Sequence, residues 1–595
     1  MLWNYAVWRR YGRLCLALLV GLGAVTALGN FVSGYFEQSE AGSGSILYVA
    51  PAPVGQDTAN TCTDPDNPCA TLQHAIDNAV PGDEIRLAEG VFSDLETING
   101  LDQIATIDIS LTIRGGYSST NFVQSFPQTQ TTVLDAQMLG RGLVVTGAVT
   151  AVIENITIQN GDATGQGGAN PGDGCGDAGG GIFVQGATIN LTNNIVQSGL
   201  ACEGGGIYIV DSPQAVLVDN HILQNHAYDV GGGLNIVGGS GAQVLNNIIE
   251  QNVAKQNLAA SGQKHCGGGS IFNNSDAQII GNAIFDNSAS NNGGGFCLNT
   301  AHNALVNNNL IYANFRLPGY EGAGAGLIVQ DSDFVQIIGN AIYQNGGADP
   351  GNLGTLRGGG LAIGSSDSIL IRQNLIYDNT ATLGGGAYFS NSNSVELHSN
   401  ILRQNVALDM PYNDQGIGGG IYAVSSDIES FNSVLLENTA DMAAMGTGVY
   451  LREATLSLQH PTIAGNDPLA GTAVFISDTL STLTITNAIV VSQAVGIDAS
   501  AGGTAVVLDV LWYANGQNTA GSVTVTEEMT ADPQFAADGY HLKITSPAIN
   551  QATPSELTTD VDGGGRPSCT SLPDLGADER HCVHIPIVLR SNKDG

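Results

Sequence analysis

The chain has 595 residues and a formal net charge of −36, with 80 glycines, 43% hydrophobic residues and only 12% charged residues. This charge argues against nucleic acid and anionic membrane surfaces as partners, because both attract basic proteins. Ile, Leu, Val and Tyr recur regularly between the glycines, which argues against disorder and favours a β-rich chain with many turns.

The N-terminus has the pattern of an export signal. Arg9, Arg10 and Arg13 precede an apolar run over residues 14–28, and Ala27-Leu28-Gly29 offers a small-x-small cleavage pattern. We predict a signal peptide at 1–29, with an N-terminal anchor as the alternative, and a linker at 30–45. The run is short for a membrane span, so we expect none in the mature protein.

Cysteine usage agrees with export. Apart from Cys15, the cysteines form an even set of sequence neighbours without the Cys-x-x-Cys spacing of zinc sites. We predict four disulfides and a secreted or cell-surface location. The predicted pairs are Cys62 with Cys69, Cys175 with Cys202, Cys266 with Cys297, and Cys569 with Cys582.

Residues 46–100 are predicted to form an N-terminal cap and the first coils. A strand is expected at 46–50, followed by a helix at 71–79 whose apolar stripe covers the first coil. Pro81-Gly82 ends this helix, and a second strand is expected at 84–88. The stripe consists of Leu72, Ala75, Ile76 and Ala79.

Two short signals alternate through residues 101–525. One is a glycine triplet followed by a short apolar strand, and the triplets recur 25 to 36 residues apart. The other is Asn-x-apolar-x-x-Asn, which begins at residues 155, 220, 247, 282, 309, 340, 374 and 400. A period of this size is typical of a solenoid, in which no unit buries its apolar face alone.

The strands between these signals have four or five residues with period-two Val, Ile and Leu, too short for amphipathic helices. We predict an all-β chain, a single-stranded parallel β-helix (β-solenoid) with a helical N-terminal cap and a C-terminal cap. About sixteen coils at 4.8 Å would form a rod of ~75 Å. Equivalent Asn side chains are expected to form an internal hydrogen-bonded ladder, a structural role.

Insertions fall repeatedly between the Asn motif and the next glycine triplet, so loops stack along one side of the rod. They span residues 163–178, 253–266, 315–323, 346–357 and 406–417. We predict that this side binds an extracellular ligand, polysaccharide or another surface ligand; unrelated solvated loop tips are the alternative. The predicted ligand-face residues are Tyr320, Glu321, Asp409, Tyr412 and Asp414.

An enzyme is the alternative function. A lyase needs a cation to neutralise a uronate carboxylate and a base to remove the neighbouring proton, whereas a hydrolase needs two carboxylates. The candidate catalytic residues are Lys264, His265, Arg316 and Arg357. No diagnostic catalytic motif accompanies them, so a binding or adhesive protein is preferred.

Residues 526–582 are predicted to form a C-terminal cap, and 583–595 a tail too short to span a membrane. Asp560 and Asp562 precede three glycines and are candidate calcium ligands, the one cofactor that the sequence suggests. The alternative is a turn held by an ion pair between Arg566 and a carboxylate. We expect a monomer.

Residues 46–580 resemble exported right-handed parallel β-helix proteins with pectate-lyase-like and polymorphic outer-membrane-protein-like repeats. The C-terminal part is similar to the choice-of-anchor Q type. The resemblance implies a right-handed coil but no particular activity. It rests on Leu47-Tyr48-Val49, Cys69-Ala70-Thr71-Leu72, Pro81-Gly82-Asp83, Ile113-Arg114-Gly115-Gly116-Tyr117, the Gly-Gly-Gly and Asn-x-Ile repeats, Asp532-Pro533-Gln534-Phe535, Ser546-Pro547-Ala548-Ile549-Asn550, Asp560-Val561-Asp562-Gly563, Arg566-Pro567 and the run from Asp574 to Glu579.

Overall fold

The computed structural model describes residues 44–169, 176–255, 265–317, 322–346, 355–409, 415–442, 445–568 and 572–580, and in this part of the chain it contains many short strands and a single α-helix. Each strand pairs in parallel with its equivalent one coil away, as expected for a parallel β-helix. Within the same residues, no helix has the length and apolar character needed to cross a membrane.

Each coil contributes three main strands. The glycine face follows the glycine triplets, and its strands are Glu96–Ile98, Leu101–Ile107, Arg141–Thr146, Ile182–Gln185, Ile207–Val210, Leu234–Val237, Gly269–Phe272, Phe296–Asn299, Leu327–Gln330, Leu361–Gly364, Ala387–Ser390, Ile421–Val424, Val449–Arg452, Thr472–Ile476, Val495–Ala499 and Gln517–Gly521. The first two of these form an antiparallel pair. The remaining strands continue the parallel stack.

The second and third faces follow in each coil and are joined in one sheet. The second face contains Ile46–Val49, Glu84–Ala88, Leu111–Tyr117, Thr150–Glu154, Thr188–Thr192, Ala215–Val218, Gln243–Leu245, Gln278–Ile280, Leu305–Asn307, Gln336–Ile338, Leu370–Arg372, Val395–His398, Asp427–Phe431, Thr455–Gln459, Thr482–Val491, Thr504–Tyr513 and Val523–Thr530. The third face contains Gly90–Phe92, Thr132–Asp135, Thr157–Gln159, Ile195–Gln197, His221–Leu223, Ile248–Glu250, Ala283–Phe285, Leu310–Tyr312, Ala341–Tyr343, Leu375–Tyr377, Ile401–Arg403, Val434–Leu436 and Thr462–Ala464.

Short strands after the third face lead toward the inserts. They are Leu200–Glu203, His226–Val230, Val253–Ala254, Ser288–Ala289, Phe315–Arg316, Gly322–Ala323, Leu356–Arg357, Thr380–Ala381, Val406–Ala407 and Thr439–Ala440. Inward-facing Ile, Leu and Val side chains from the three main faces form one continuous core along the rod. Because strand residues alternate between inside and outside, the second residue of a strand such as Ile207–Val210 points outward.

Two internal asparagine ladders hold the corners, as the sequence pattern predicts. The Nδ2 of Asn309 donates to the Oδ1 of Asn340 at 2.9 Å and to the carbonyl of Ile279 at 2.8 Å, so both amide hydrogens are used. The same bonds repeat in each coil, and all members are buried. One ladder contains Asn194, Asn220, Asn247, Asn282, Asn309, Asn340, Asn374 and Asn400, and the other contains Asn225, Asn252, Asn287, Asn314, Asn345, Asn379, Asn405, Asn438 and Asn466.

The first copy of the asparagine motif does not join the ladders. Asn155 and Asn160 have left-handed backbone conformations, with φ of 62° and 54°. Ile156 occupies the ladder position instead, and its backbone N–H donates to the Oδ1 of Asn194 at 3.1 Å. The motif is therefore offset by one residue in this coil, and its two asparagines mark outer turns.

A serine ladder occupies the corner between the glycine face and the second face. The backbone N–H of Ser332 donates to the Oγ of Ser366 at 2.9 Å, and Ser366 and Ser392 continue the series toward Ser426. Each hydroxyl donates to the carbonyl two residues before it, as Ser366 does to Gly364 at 2.8 Å. Single serines are too common in the sequence for this ladder to be predicted from it.

The glycine triplets are required by close stacking of backbones. The first glycine is left-handed, as Gly231 is with φ of 67°, and a Cβ on Gly233 would lie 2.5 Å from the carbonyl oxygen of Gly268. Cys266 takes the position equivalent to Gly231, with φ of 66°. This placement brings it to Cys297 one coil away, where the two form a disulfide with a Cα–Cα distance of 5.7 Å.

The N-terminal end has the predicted helix at Leu72–Asn78, where the hydroxyl of Thr71 accepts from the backbone N–H of His74 at 3.3 Å. Leu72, Ala75 and Ile76 are buried against the first coils. The predicted disulfide between Cys62 and Cys69 is present, and Cys202 is also disulfide-bonded. Cys175, Cys569 and Cys582 lie outside the described residues, as do the predicted signal peptide and tail.

Residues 532–568 and 572–580, here called the C-terminal segment, pack along the outside of the third face. Leu542, Ala548 and Leu575 form a cluster with Leu436, Val491 and other residues of the stack. Asn432 donates to the carbonyl of Thr559 at 2.7 Å. The segment therefore covers an apolar side of the rod in addition to following its last strands.

A buried polar network ties this segment to the stack. Arg566 forms an ion pair with Glu579 at 3.5 Å and donates to the carbonyls of Gly576 and Ala577 at 3.0 and 2.8 Å. His460 contacts Arg566 and the Oγ of Ser555, and burial together with the Arg566 charge lowers the pKa of His460 to about 3. The Ser555–His460 contact lies inside this buried network.

The asparagine ladder generates a stability prediction. Asn309→Ala removes a side chain that uses every donor and leaves the Ile279 carbonyl and the Asn282 amide without partners. We expect the free energy of unfolding, measured by urea denaturation, to fall by about 1–3 kcal/mol. Asn307→Ala, on the outer side of the neighbouring strand, is the matched control and should have little effect. Equal losses in the two variants would contradict the ladder's role.

The buried carboxyl of Asp574 generates a pH prediction. Burial raises its pKa to about 6, although its hydrogen bonds with the Arg580 and Asn550 amides oppose the rise. An unfolded Asp titrates near pH 4, so stability should fall as pH rises from about 4 to 6, on the order of 2 kcal/mol. Asp574→Asn removes the titration, and the wild-type-minus-variant difference in unfolding free energy isolates it. A difference independent of pH would contradict the assignment.

Candidate functional site on the side that carries the inserts

The inserts border one outward column on the glycine face, formed by the second residue of successive strands. Strand register aligns this outer column through eleven coils. Its members are Phe183, Tyr208, Asn235, Ser270, Cys297, Ile328, Ala362, Tyr388, Tyr422, Tyr450 and Phe475. The column is aromatic at both ends and polar or small between them.

The aromatic ends are stacked and covered. Phe183 and Tyr208 have ring centroids 5.9 Å apart, and Tyr422 and Tyr450 have centroids 4.8 Å apart. Residues at the bases of the inserts pack over these rings, including Ala169 and Ala178 at one end and Leu383, Met442 and Met445 at the other. Burial raises the pKa of Tyr422 to about 12. These rings stabilise the inserts and offer little free face to a ligand.

A polar centre lies between the aromatic ends, formed by Glu203, Asp229, Asn235, His265 and Ser270. Asn235 donates from Nδ2 to the Oε2 of Glu203 at 3.1 Å. Four of the five are buried, and His265 is half-buried. Among the described residues, no hydrogen bond reaches the buried Oδ1 of Asn235. Buried polar groups with spare hydrogen-bonding capacity are typical of binding sites.

The coil corner brings the members of this centre together. Glu203 precedes a glycine triplet and lies in register with Val230 of the next coil. Val230 in turn forms a bridge with His265, whose N–H donates to the carbonyl of Asp229 at 3.2 Å. Two carboxylates and an imidazole are therefore placed on three successive coils. Of these three groups, Glu203 and Asp229 are buried.

Two buried arginines hold the inserts in place through hydrogen bonds to backbone carbonyls. Arg141 donates to the carbonyls of Ala178 and Gly167, and burial lowers its pKa to about 10. Arg316 is only 2% exposed and donates to the carbonyl of Thr355 at 3.1 Å. It pairs with Ala289 in a column otherwise filled by small residues. Arg316 stays a predicted catalytic cation, although its guanidinium is held by the Thr355 carbonyl.

Of the other predicted catalytic residues, the described part of the chain contains His265 and Arg357. Lys264 lies outside the described residues, whereas His265 belongs to the polar centre. Arg357 is half-buried in the same corner column, three coils beyond His265, or about 14 Å along the axis. Strand register therefore places His265 in the same corner as Glu203 and Asp229, two carboxylates outside the predicted catalytic set.

Of the predicted ligand-face residues, only Asp409 falls within the described residues; Tyr320, Glu321, Tyr412 and Asp414 do not. Asp409 is exposed, and its Oδ1 accepts from the backbone N–H of Gly416 at 2.6 Å. Its own N–H donates to Asp441 of the next coil at 2.7 Å. It stays a predicted ligand contact at the edge of an insert.

The predicted calcium ligands have different roles. Asp560 is fully buried, and its Oδ1 accepts from the amides of Asp562 and Gly564 at 3.1 and 2.7 Å. This carboxylate therefore organises a turn beside the buried Arg566, as the alternative interpretation expected, although the ion pair of Arg566 is with Glu579. Asp562 contacts His541.

A second aromatic series, absent from the predicted features, lies on the third face. Phe285, Tyr312, Tyr343 and Tyr377 stack with centroids 4.8 to 4.9 Å apart. The signal was present as Asn-Leu-Ile-Tyr, Asn-Ala-Ile-Tyr and Asn-Leu-Ile-Tyr in successive coils. Each ring face is occupied by the next ring, so the series presents ring edges and hydroxyls outward. Its first function is to stabilise stacking.

Comparison with known proteins agrees with this architecture. The family model described as right handed beta helix region matches residues 261–439 and 355–510. No curated protein matches the chain in sequence. The fold is thus a right-handed parallel β-helix, with a buried polar centre on its insert side.

Several solved structures are similar in fold. The A-module of mannuronan C-5 epimerase AlgE4 from Azotobacter vinelandii aligns with 13% identity over 65% of this chain and 92% of its own, with a TM-score of 0.35. The periplasmic alginate epimerase AlgG has 11% identity over 66% and 77%, with a TM-score of 0.33. Pectate lyase Pel9A has 11% identity over 90% and 96%, with a TM-score of 0.25.

The burial of Arg316 generates a prediction. Arg316→Ala leaves the Thr355 carbonyl without this donor and removes a large buried side chain. We expect the free energy of unfolding to fall by about 1–3 kcal/mol, measured by thermal or urea denaturation. Arg372→Ala, an exposed arginine on the second face, is the control and should change stability little. An Arg316 variant of wild-type stability would show that the insert does not depend on this contact.

Proposed function

We propose that the protein is a secreted or cell-surface β-helix that binds a polysaccharide along its insert side, with the polar centre as the main contact. The observation that carries this proposal is the buried group of Glu203, Asp229, Asn235 and Ser270 halfway along a side bordered by inserts. Predicted export and the disulfides support an extracytoplasmic location.

The chemistry of the centre favours hydroxyl-rich ligands. Carboxylate and amide oxygens accept hydrogen bonds from sugar hydroxyls, and the Oδ1 of Asn235 is an acceptor that no described residue uses. A uronate carboxylate would be repelled by the two carboxylates of the centre, Glu203 and Asp229. We therefore propose a polymer whose contacting units are neutral at the polar centre.

The geometry of the rod supports a linear ligand. Equivalent positions recur at about 4.8 Å along the axis, so a repeating polymer meets repeating corner positions. The net charge of −36 opposes a densely anionic polymer unless cations intervene. A long, regular side with one polar centre fits a chain that is held at one point and guided by neighbouring inserts.

The second candidate function is a carbohydrate-active enzyme. Glu203 and Asp229 are two buried carboxylates on neighbouring coils, the residue types a glycoside hydrolase requires, and His265 lies one coil further. In a lyase, His265 would be the proton acceptor. We rank this second because the sequence carries no motif that assigns catalytic roles to these residues.

A binding experiment tests the proposal. The purified full-length protein is incubated with neutral and acidic polysaccharides, and each mixture is analysed by size-exclusion chromatography and calorimetry. We expect co-elution with a neutral polymer, and about 10-fold or greater weakening in Glu203→Gln and Asn235→Ala, the loss expected from hydrogen bonds to charged or buried groups. Shortening of the polymer would instead establish the enzyme.

Glu429→Gln provides the matched control, because Glu429 is an exposed carboxylate on the second face. Its affinity should equal that of the wild type. Thermal melts of all variants establish that they are folded. Equal weakening in the control, or binding that is insensitive to both polar-centre changes, would place the ligand elsewhere.

A further inference from the structure

Three separate stretches of the C-terminal segment bring His541, Asp562 and Asp578 together. One ligand-type atom from each residue lies within 4.8 Å of the other two. The Nε2 of His541 is 2.5 Å from the Oδ2 of Asp562. These residues are far apart in sequence, so their meeting is produced by the fold of the segment and not by one local loop.

Asp538 orients the histidine from its other side. The Nδ1 of His541 donates to the Oδ2 of Asp538. This bond leaves Nε2 directed toward Asp562 and Asp578. A carboxylate on one imidazole nitrogen, with the other nitrogen facing ligand oxygens, is the arrangement that metal-binding histidines use to fix tautomer and ring position.

Asp578 gives a second and independent indication. It is only 6% exposed, and the backbone N–H of Leu542 donates to its Oδ2 at 2.6 Å. Among the described residues, no Lys or Arg lies within ion-pair distance of Asp538, Asp562 or Asp578. Three carboxylates therefore surround one imidazole, and the cations that act on the largely buried Asp578 are the ring of His541 and, from beyond ion-pair distance, Arg566. A buried charge of this kind is costly unless a cation compensates it.

We propose that His541, Asp562 and Asp578 bind one divalent transition-metal ion of the zinc type, with Asp538 as the positioning residue. An imidazole nitrogen in the ligand set favours zinc-like ions over calcium, which prefers oxygen ligands. The bound ion takes the place of the proton on Nε2, and this proton is released to solvent. The metal joins the turns at 538–542, 560–565 and 574–580.

The expected consequence of metal binding is a more rigidly held C-terminal segment. The stack is tied coil to coil by its ladders, whereas the C-terminal segment has no repeating corner bonds of its own. An ion bridging three of its turns would restrain it against the third face. This proposal is independent of the polysaccharide proposal, since the two sites lie on different sides of the coil.

Metal titration of the full-length protein, first treated with a chelator and dialysed, tests the site. We expect one equivalent of Zn²⁺ by calorimetry, Co²⁺ binding with visible ligand-field absorption, and a higher melting temperature with either ion. His541→Ala, Asp562→Asn and Asp578→Asn should abolish these responses. Asp538→Asn should weaken binding by roughly 10- to 100-fold, as expected for a residue that orients a ligand.

His398→Ala is the matched control, because His398 also contacts a carboxylate, Glu396, at 3.0 Å but lies on the second face. It should bind metal as the wild type does. Asp562 is exposed, so its substitution should leave the fold intact even where the buried Asp578 variant does not fold. Wild-type Zn²⁺ binding in Asp562→Asn, no Zn²⁺ binding by the wild type, or tighter binding of Ca²⁺ than of Zn²⁺ would overturn the proposal.

Discussion

The hydrogen bond between one coil and the next is the interaction on which the molecule depends. Backbone hydrogen bonds connect the strands. At the corners, buried amides and carbonyls would have no hydrogen-bond partners without the side chains placed there. Asparagine suits this position because one carboxamide donates twice and accepts at least once, as Asn309 does toward Ile279, Asn340 and Asn282. Serine solves the same problem at another corner with a shorter side chain.

Periodicity explains why the architecture could be predicted from the sequence and why details of register could not. The Asn motif and glycine triplets report local corner geometry, which every coil repeats. The offset at Asn155, and the placement of Cys266 in the left-handed position equivalent to Gly231, depend on alignment with a neighbouring coil. A sequence pattern contains no direct measure of that alignment. The cysteine pair was nevertheless predicted, since one coil of separation allows a disulfide.

The candidate site was harder to predict for a physical reason. Arg316 is predicted as a catalytic cation because it lies in an insert, but strand register places it in a column of small buried residues. Glu203 has no sequence signal of burial either, because it is a single acidic residue before a glycine triplet. Its burial is created by the corner and by its contact with Asn235 one coil away. Whether a polar residue is buried therefore depends on its contacts with neighbouring coils, which the sequence of one repeat does not show.

The C-terminal segment does not repeat, and it is held by different contacts from those that hold the coils. The segment packs against an apolar surface of the third face that includes Leu436 and Val491. Because the hydrophobic effect is non-directional, this contact buries the segment without fixing its orientation. The orientation of the segment is fixed by single polar contacts. They are Arg566 with Glu579, Asp560 within its own turn, and His541 with Asp538 and Asp562. In the stack, each polar bond is supported by copies above and below it. In the segment each acts once, so losing any one contact should have a larger local effect there than losing one rung inside the rod.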